Sequence, residues 1–311
     1  MNPINITHGH DGEFLNRQYS YWSSACYIGT AWYVFVGHAD GRPRFFRVEG
    51  QRVDALGPLM SYVGTGEGWS WDATGQILLC RGPERRRVSP LTGEDHLVFS
   101  IADDFPGCDL WQAHASDDGR VHSATVRRVM DVGPYAPLGT VVWQEGIGLF
   151  YLLAVQPLDE SQVSRDGRFL IIKEGDDNRI ITLATGEERW VRNADGALGH
   201  SDCGPDYIVG EDDQQGACVR VDLTTLARTP LFPTWNMGHV SVRGGRCLQS
   251  DATYLSLVDM TSGERTIVYE HGMTGSGYDY QVHASLDPSG RAACFMSNRE
   301  GRMDAYLLVL A

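Results

Sequence analysis

The stretch "QVHASLDPSGRAACFMSN", residues 281 to 298, predicts a β-hairpin. An apolar, β-prone run is followed by a tight Asp-Pro-Ser-Gly turn and then by a second β-prone run. His283 stands where the first strand begins. This histidine belongs either to the packing or to a chemical site, and the choice depends on whether the hairpin recurs along the chain.

The hairpin occurs seven times along the chain. When the first strands are aligned, the residues at the position of His283 are spaced by 38 to 48 residues: Trp22, Trp69, His114, Gln162, His200, His239 and His283. A second turn recurs in step with the first, as "LTGE" at 91, "ATGE" at 184, "LTTL" at 223 and "TSGE" at 261. Units of about 40 residues with four short strands are typical of β-propeller blades. The sequence therefore predicts an all-β, seven-bladed β-propeller.

The two ends of the sequence suggest how the ring of blades closes. The last unit ends after three strands with "DAYLLVLA", whereas the chain opens with "PINIT", a short β-prone run without a hairpin of its own. Pairing these segments removes two exposed sheet edges. We expect the N-terminal strand to complete the last blade, and residues 1–311 to form a single domain.

Composition predicts a soluble globular protein. Of the 311 residues, 42% are hydrophobic and 21% are charged, which is ordinary for a globular domain. The first thirty residues lack the features of a signal peptide, and no apolar run reaches the roughly 18 residues that a membrane span needs. We therefore expect a cytoplasmic protein that has no membrane partner.

Charge and cysteine content narrow the possible partners. The formal net charge is −14, which argues against nucleic acid because phosphate contacts dominate that affinity. The seven cysteines have no C-x-x-C spacing, so we expect reduced, apolar side chains rather than disulfides or structural zinc. A monomer or a weak homo-oligomer is expected.

The repeat predicts a site at one mouth of the central channel. First strands line the channel of a propeller, so residues at equivalent positions converge there. A single such histidine usually serves as a structural hydrogen-bond partner, whereas several together favour metal binding or proton transfer. The ends of the second strands add Arg81, Arg127, Arg299 and Lys173, the only lysine of the chain.

These residue types indicate a metal and an anionic ligand. Imidazoles with carboxamide or carboxylate oxygens can hold manganese, iron, nickel or zinc. A cationic pocket in an acidic protein favours a small anionic ligand. Trp22 and Trp69 can either stack on a sugar ring or fill the channel.

Several segments resemble known propeller families. "SRDGRFLIIKEGD" and "LDPSGRAACFMSNREGRMDAYLLVL" resemble the TolB-type repeats. The succession of "NITHGHDGEF", "GEGWSWDATGQILLCRG", "GHSDCGPD", "GHVSVRGGRCLQSD" and "QVHASLDPSG" is similar to the oligogalacturonate lyases, a family of polysaccharide lyases. Members of that family are cytoplasmic seven-bladed propellers that cleave oligogalacturonides by β-elimination with manganese, a histidine base and an arginine.

The resemblance implies roles for individual residues. His200 matches the base, and His239 and His283 match metal ligands. The seventh-blade pattern of the family is Q-x-x-H-x-H, and this chain has Tyr278, Gln281 and His283 there. Gln281 thus stands where the family has a histidine. The arginine of the family has no motif match, and Lys173, Arg81, Arg127 or Arg165 are the alternatives.

Three functional hypotheses follow. The first is a lyase acting on an acidic, uronate-containing oligosaccharide, with a divalent metal, expected to be Mn²⁺. Its catalytic residues are His200, Lys173 and Arg127, its metal ligands are His239, His283 and Gln281, and its substrate-binding residues are His114, Gln162, Trp22, Trp69, Arg81, Tyr278 and Arg299. The second is a non-catalytic propeller of TolB type that binds a protein or glycan at the channel mouth. The third is a metal-dependent hydrolase or isomerase on the same ring.

Overall fold

A computed structural model describes most of the chain. The described residues are 2–11, 14, 22–38, 43–57, 69–128, 136–154, 158–192, 198–212, 214–233, 238–275 and 281–310. Tyr278 lies outside them, so its predicted role in substrate binding stays a prediction. No helix in these ranges is long and apolar enough to cross a membrane.

The described residues form 28 β-strands, in seven sheets of four. Blade 1 contains β2 (Ala25–Ile28), β3 (Ala31–Gly37), β4 (Pro43–Glu49) and β5 (Arg52–Gly57). Blade 2 contains β6 (Ser70–Trp71), β7 (Ile77–Arg81), β8 (Glu84–Val88) and β9 (Asp95–Ser100). Blade 3 contains β10 (Cys108–Ala115), β11 (Val121–Arg128), β12 (Ala136–Gln144) and β13 (Gly148–Leu153).

The later blades repeat this order. Blade 4 contains β14 (Leu158–Val163), β15 (Phe169–Glu174), β16 (Asp177–Thr182) and β17 (Glu187–Val191). Blade 5 contains β18 (Leu198–Cys203), β19 (Tyr207–Asp212), β20 (Ala217–Asp222) and β21 (Arg228–Pro233). Blade 6 contains β22 (Val240–Arg243), β23 (Arg246–Ser250), β24 (Tyr254–Asp259) and β25 (Arg265–Glu270). Blade 7 contains β26 (Ser285–Leu286), β27 (Ala292–Ser297), β28 (Asp304–Val309) and β1 (Ile4–Asn5).

Each sheet is an antiparallel meander, and the seven meanders are the blades of a seven-bladed β-propeller. The predicted fold class is confirmed. The chain divides into two compact units, residues 1–75 with 234–311, and residues 76–233. The expectation of a single domain stays a prediction, and the site is described below unit by unit.

Apolar side chains on both faces of the inner strands form the core. In the second unit, one cluster joins blades 4 and 5 through Phe169 and Ile180 on one side and Ile208 and Val219 on the other. A strand that is buried on both faces has a continuous run of apolar residues rather than alternating apolar and polar residues. "FLII", residues 169–172, is such a run, and all four side chains are buried.

The predicted closure of the last blade is confirmed. β1 pairs with β28 in antiparallel register, with Ile4 opposite Leu307. Thr7 adds side-chain hydrogen bonds to this pairing. Its Oγ1 donates to Asp304 Oδ1 at 2.6 Å and accepts from the Ala305 N–H at 3.0 Å. The N-terminal segment is therefore held by side chains as well as by the ladder.

We expect Thr7→Val to destabilise the protein by about 1–3 kcal/mol, because Asp304 and the Ala305 N–H each lose a buried partner. Urea unfolding measures the change. Thr30→Val is the control, since the Thr30 hydroxyl makes an exposed hydrogen bond to Glu49 and its loss is expected to change stability by less than about 0.5 kcal/mol. Equal effects of the two variants would show that the hydrogen bonds of Thr7 do not stabilise the protein.

Candidate functional site

The first hairpin of each blade ends in a turn that fixes which residues are equivalent. In blade 5 the Gly204 N–H donates to the Tyr207 carbonyl, in blade 7 Asp287 donates to Ala292, and in blade 3 Ser116 donates to Val121. The residues four positions before Gly204, Asp287 and Ser116 are therefore equivalent. By this rule, which also covers blades 1, 4 and 6, they are Ser24, Gln112, Glu160, His200, His239 and His283.

The sequence alignment is thus correct for His200, His239 and His283, and wrong for three positions. His114 and Gln162 lie two residues nearer the turn than predicted, and Trp22 lies two residues further away. For His114 the cause is a repeated tripeptide, His-Ala-Ser. In blade 3 its serine opens the turn at Ser116, whereas in blade 7 the turn begins two residues after it.

Three of the equivalent positions share an uncommon backbone conformation. Gln112, His200 and His283 have φ values of 45°, 47° and 43°. Each begins a β-bulge, in which two residues oppose one residue of the next strand: Ala124 in blade 3, Gly210 in blade 5 and Phe295 in blade 7.

Glycine is the usual residue at a left-handed bulge position. A side chain there costs roughly 1–3 kcal/mol, and such residues cluster at functional sites.

In the first unit, blades 6 and 7 bring together two of the predicted metal ligands, His239 and His283. The imidazole rings of His239 and His283 stack with centroids 5.2 Å apart and an interplanar angle of 29°. Both side chains are buried, with 4% and 2% exposed. Gln281 lies two residues before His283, and its buried Oε1 has no hydrogen-bond partner among the described residues.

This donor set fits a divalent ion. An ion held at roughly 2.1 Å by one nitrogen of each imidazole places the two centroids roughly 4.5–5.2 Å apart. A carboxamide oxygen that lacks a donor is a suitable further ligand for Mn²⁺. Within the described residues no group of three or more His, Cys, Asp and Glu side chains could hold a metal. The candidate donors are the two imidazoles and the carboxamide of Gln281.

In the second unit, blade 4 holds the strand that carries His200. Gln162 Nε2 donates to the Ser201 carbonyl at 2.9 Å, and Cys203 Sγ donates to Gln162 Oε1 at 3.1 Å. Arg165 donates to the Cys203 carbonyl at 3.1 Å and to the buried Asp202 carboxylate at 2.6 Å. These bonds fix three consecutive residues after His200, whose own side chain is exposed.

The predicted cationic residues all have partners. Lys173 Nζ lies 3.0 Å from Asp159 Oδ2, and Arg81 lies 3.2 Å from Asp95. Arg299 bonds to the Tyr269 hydroxyl and to the Glu270 carbonyl. Arg127 lies over the ring of Trp111, 4.8 Å from its centroid. An anionic ligand would therefore bind one of these groups only by displacing the partner that the group contacts in the structure.

The predicted substrate-binding residues Trp22, Trp69, His114 and Gln162 are buried, with 1% to 3% exposed. Trp69 packs against Phe35, with ring centroids 6.0 Å apart. Burial favours the packing alternative for the two tryptophans over stacking on a sugar. Gln162 also supports the strand that carries His200 through its hydrogen bonds to blade 5, and its predicted contact with substrate stays a prediction.

Burial also sets the protonation of two histidines in the second unit. Desolvation, followed by the charges of Arg165 and Arg85, holds the pKa of His114 well below its usual value. Desolvation and the charge of Arg85 lower the pKa of His122 to about 3. His122 Nε2 lies 3.0 Å from the Gly119 carbonyl, which places its proton on that nitrogen.

We expect stability to fall with acidity because of His122. In the unfolded chain its pKa is roughly 6.5, so between about pH 6.5 and pH 3 the unfolded state binds the extra proton. This group then removes about 1.4 kcal/mol of unfolding free energy per pH unit as the pH falls. Urea unfolding at pH 7 and pH 5 measures the slope.

His122→Gln is expected to flatten this slope, because the substitution removes the titrating group. An identical slope in wild type and His122→Gln would contradict the assignment.

The structure adds a residue that sequence reasoning missed. Gln112 occupies the position of His200 and His283 in blade 3. Arg165, one of the four alternatives for the arginine of the family, forms the buried ion pair beside the His200 strand. The distance from the turn could have identified Gln112 in the sequence, because Gln112 lies four residues before Ser116. Aligning "QAHAS" with "QVHAS" instead places His114 at that position.

Solved structures share this fold over nearly the whole chain. An oligogalacturonate lyase in complex with manganese matches with a TM-score of 0.71 and 17% identity, covering 95% of this chain and 90% of its own. An oligogalacturonate lyase from Vibrio parahaemolyticus matches with a TM-score of 0.70 and 14% identity, covering 100% of this chain and 96% of its own. A puromycin hydrolase mutant complexed with PGG matches with a TM-score of 0.60 and 13% identity, covering 99% of this chain but 54% of its own.

No protein-family model and no curated protein matches the sequence. At 14% to 17% identity the structural likeness establishes the fold alone. The chain therefore has the seven-bladed β-propeller fold of the oligogalacturonate lyases.

Proposed function

We propose that the protein is a metal-assisted lyase that cleaves a uronate-containing oligosaccharide, of the oligogalacturonate kind, by β-elimination. The observation that carries this proposal is the stacked pair His239 and His283; Gln281, two residues before His283 in the sequence, has a buried Oε1 without a hydrogen-bond partner among the described residues. The neighbouring fold of an oligogalacturonate lyase in complex with manganese supports it.

The reaction removes the proton at C5 of the uronate, forms the C4–C5 double bond and breaks the bond from C4 to the leaving oxygen, which takes up a proton. The difficulty is that C5 lies next to a carboxylate, whose negative charge disfavours further negative charge. A divalent ion held by His239, His283 and Gln281 would supply positive charge for the developing enolate, which is typically the largest catalytic term.

His200 is the proposed base. Its imidazole is exposed, its bulge presents it away from the regular strand, and bonds from blade 4 fix the residues that follow it. Proton transfer by a positioned histidine contributes roughly 10²- to 10⁴-fold. Lys173 is the proposed partner of the substrate carboxylate, which would replace Asp159 at its Nζ.

Incubation with oligomers of galacturonate, mannuronate, guluronate and glucuronate in Mn²⁺ tests the proposal. We expect an absorbance rise from the unsaturated uronate with at least one substrate, and loss of this rise with a chelator. Elemental analysis of unstripped protein is expected to find stoichiometric metal, and His283→Ala is expected to lose it. Absence of any rise with all four substrates would refute the lyase activity.

A non-catalytic binding propeller is the second candidate. It is favoured by the burial of both imidazoles, since His239 and His283 together leave little surface for solvent or substrate. On this hypothesis the protein carries no stoichiometric metal, and a chelator leaves ligand binding unchanged. The elemental analysis therefore separates the two candidates before any substrate is known.

A further inference from the structure

Blade 3 carries a group of polar atoms that the proposed chemistry does not use. Gln112 is 2% exposed, and its Oε1 has no hydrogen-bond partner among the described residues. The preceding residue, Trp111, is half-buried, and its indole N–H is likewise buried without a partner in the described chain. An acceptor and a donor are thus left unsatisfied on consecutive residues.

Burying unsatisfied polar groups destabilises the folded state. Gln112 adds the backbone strain of its left-handed conformation. Native proteins hold few such groups, and each one calls for an explanation. The two other residues with this backbone in the same bulge, His200 and His283, are the proposed base and a proposed metal ligand.

We propose that Trp111, Gln112 and Arg127 form a sugar-binding subsite on blade 3, in which Gln112 accepts a hydrogen bond from a sugar hydroxyl. The inference rests on the proposed function for the class of ligand. A hydroxyl both donates and accepts, so it matches the free acceptor of Gln112 and the free donor of Trp111.

A carboxylate cannot serve Gln112 Oε1, because both oxygens only accept. It suits the guanidinium of Arg127, which lies over the Trp111 ring. Trp111 and Arg127 are both half-buried, so the subsite opens to solvent through them.

Calorimetric titration of a galacturonate trisaccharide tests the subsite. A His200→Asn background prevents turnover. We expect Gln112→Leu to raise the Kd about 10-fold, because one hydrogen bond is lost. The factor should be the same for the trisaccharide as the free acid and as its methyl ester. Trp111→Phe, which keeps an aromatic ring but removes the indole N–H, is expected to raise the Kd about 3- to 10-fold.

Gln249→Leu is the matched control. Gln249 is also 2% exposed, and its Oε1 also lacks a partner among the described residues, but its backbone is regular strand. Both leucine variants remove an unsatisfied acceptor, so both are expected to raise Tm, while only Gln112→Leu weakens binding. If Gln112→Leu does not fold, Gln112→Asn withdraws the carboxamide and tolerates the left-handed backbone.

The outcomes separate the two proposals. A Kd unchanged within twofold in Gln112→Leu, in a protein that binds the trisaccharide, overturns the subsite and leaves the lyase standing. Binding without cleavage by the wild type overturns the lyase, and the Kd comparison still decides the subsite. A wild type that binds no oligouronate overturns both.

Discussion

Replacing His200 by asparagine is expected to lower kcat for uronate cleavage by roughly 10²- to 10⁴-fold. Asparagine tolerates the left-handed backbone better than most residues, so the bulge in blade 5 is kept while the imidazole is lost. Metal content should not change, because the proposed ligands lie on blades 6 and 7. Steady-state kinetics with Mn²⁺, together with elemental analysis, give both readouts.

His96→Asn is the control for this variant, since His96 is an exposed histidine of blade 2 in the same unit. We expect its kcat to equal that of the wild type. If His200→Asn retains full kcat, His200 is not the base. If it loses metal together with activity, its role is structural.

Removing the buried charge of Arg165 is expected to have the largest effect on stability. Arg165 is 6% exposed and its partner Asp202 is fully buried. Arg165→Met leaves that carboxylate without its ion pair, which is expected to destabilise the protein by about 3–5 kcal/mol. Urea unfolding measures the loss.

Two further variants test whether the lost stability comes from the buried ion pair. Arg168→Met removes an exposed partner of Asp166 in the same turn and is expected to change stability by at most about 1 kcal/mol. Adding Asp202→Leu to Arg165→Met should recover much of the lost stability, because replacing both members of a buried pair is often neutral. A loss no larger than that of Arg168→Met would show that Asp202 is solvated.

The fold was predictable because its signals are local. Turn sequences such as Asp-Pro-Ser-Gly after Leu286 mark hairpins without reference to the rest of the chain, and the orphan strand at Ile4 follows from counting strands in the last unit. These features depend on sequence spacing, which survives in a single chain. The seven blades and their closure therefore needed no coordinates.

The site was predictable only in part, because register depends on where each turn begins. His200, His239 and His283 were placed correctly, whereas His114 was shifted by an accidental match of "HAS". In a regular strand a shift of two residues keeps the side chain on the same face, so the sequence periodicity could not reveal the error. The bulges were also hidden, since a non-glycine residue at positive φ leaves no mark in sequence.

The pairing of Asn5 with Tyr306, 301 residues apart, has a consequence for biosynthesis. β1 leaves the ribosome before the other strands of blade 7, and β28, with which it pairs, is the last of them to be made. At about 5–20 residues per second, β1 waits roughly 15–60 seconds before β28 has been made. Throughout that time β1 has no partner strand, so the nascent chain exposes backbone N–H and C=O groups that the folded blade pairs. Closure of blade 7 therefore follows the synthesis of β28.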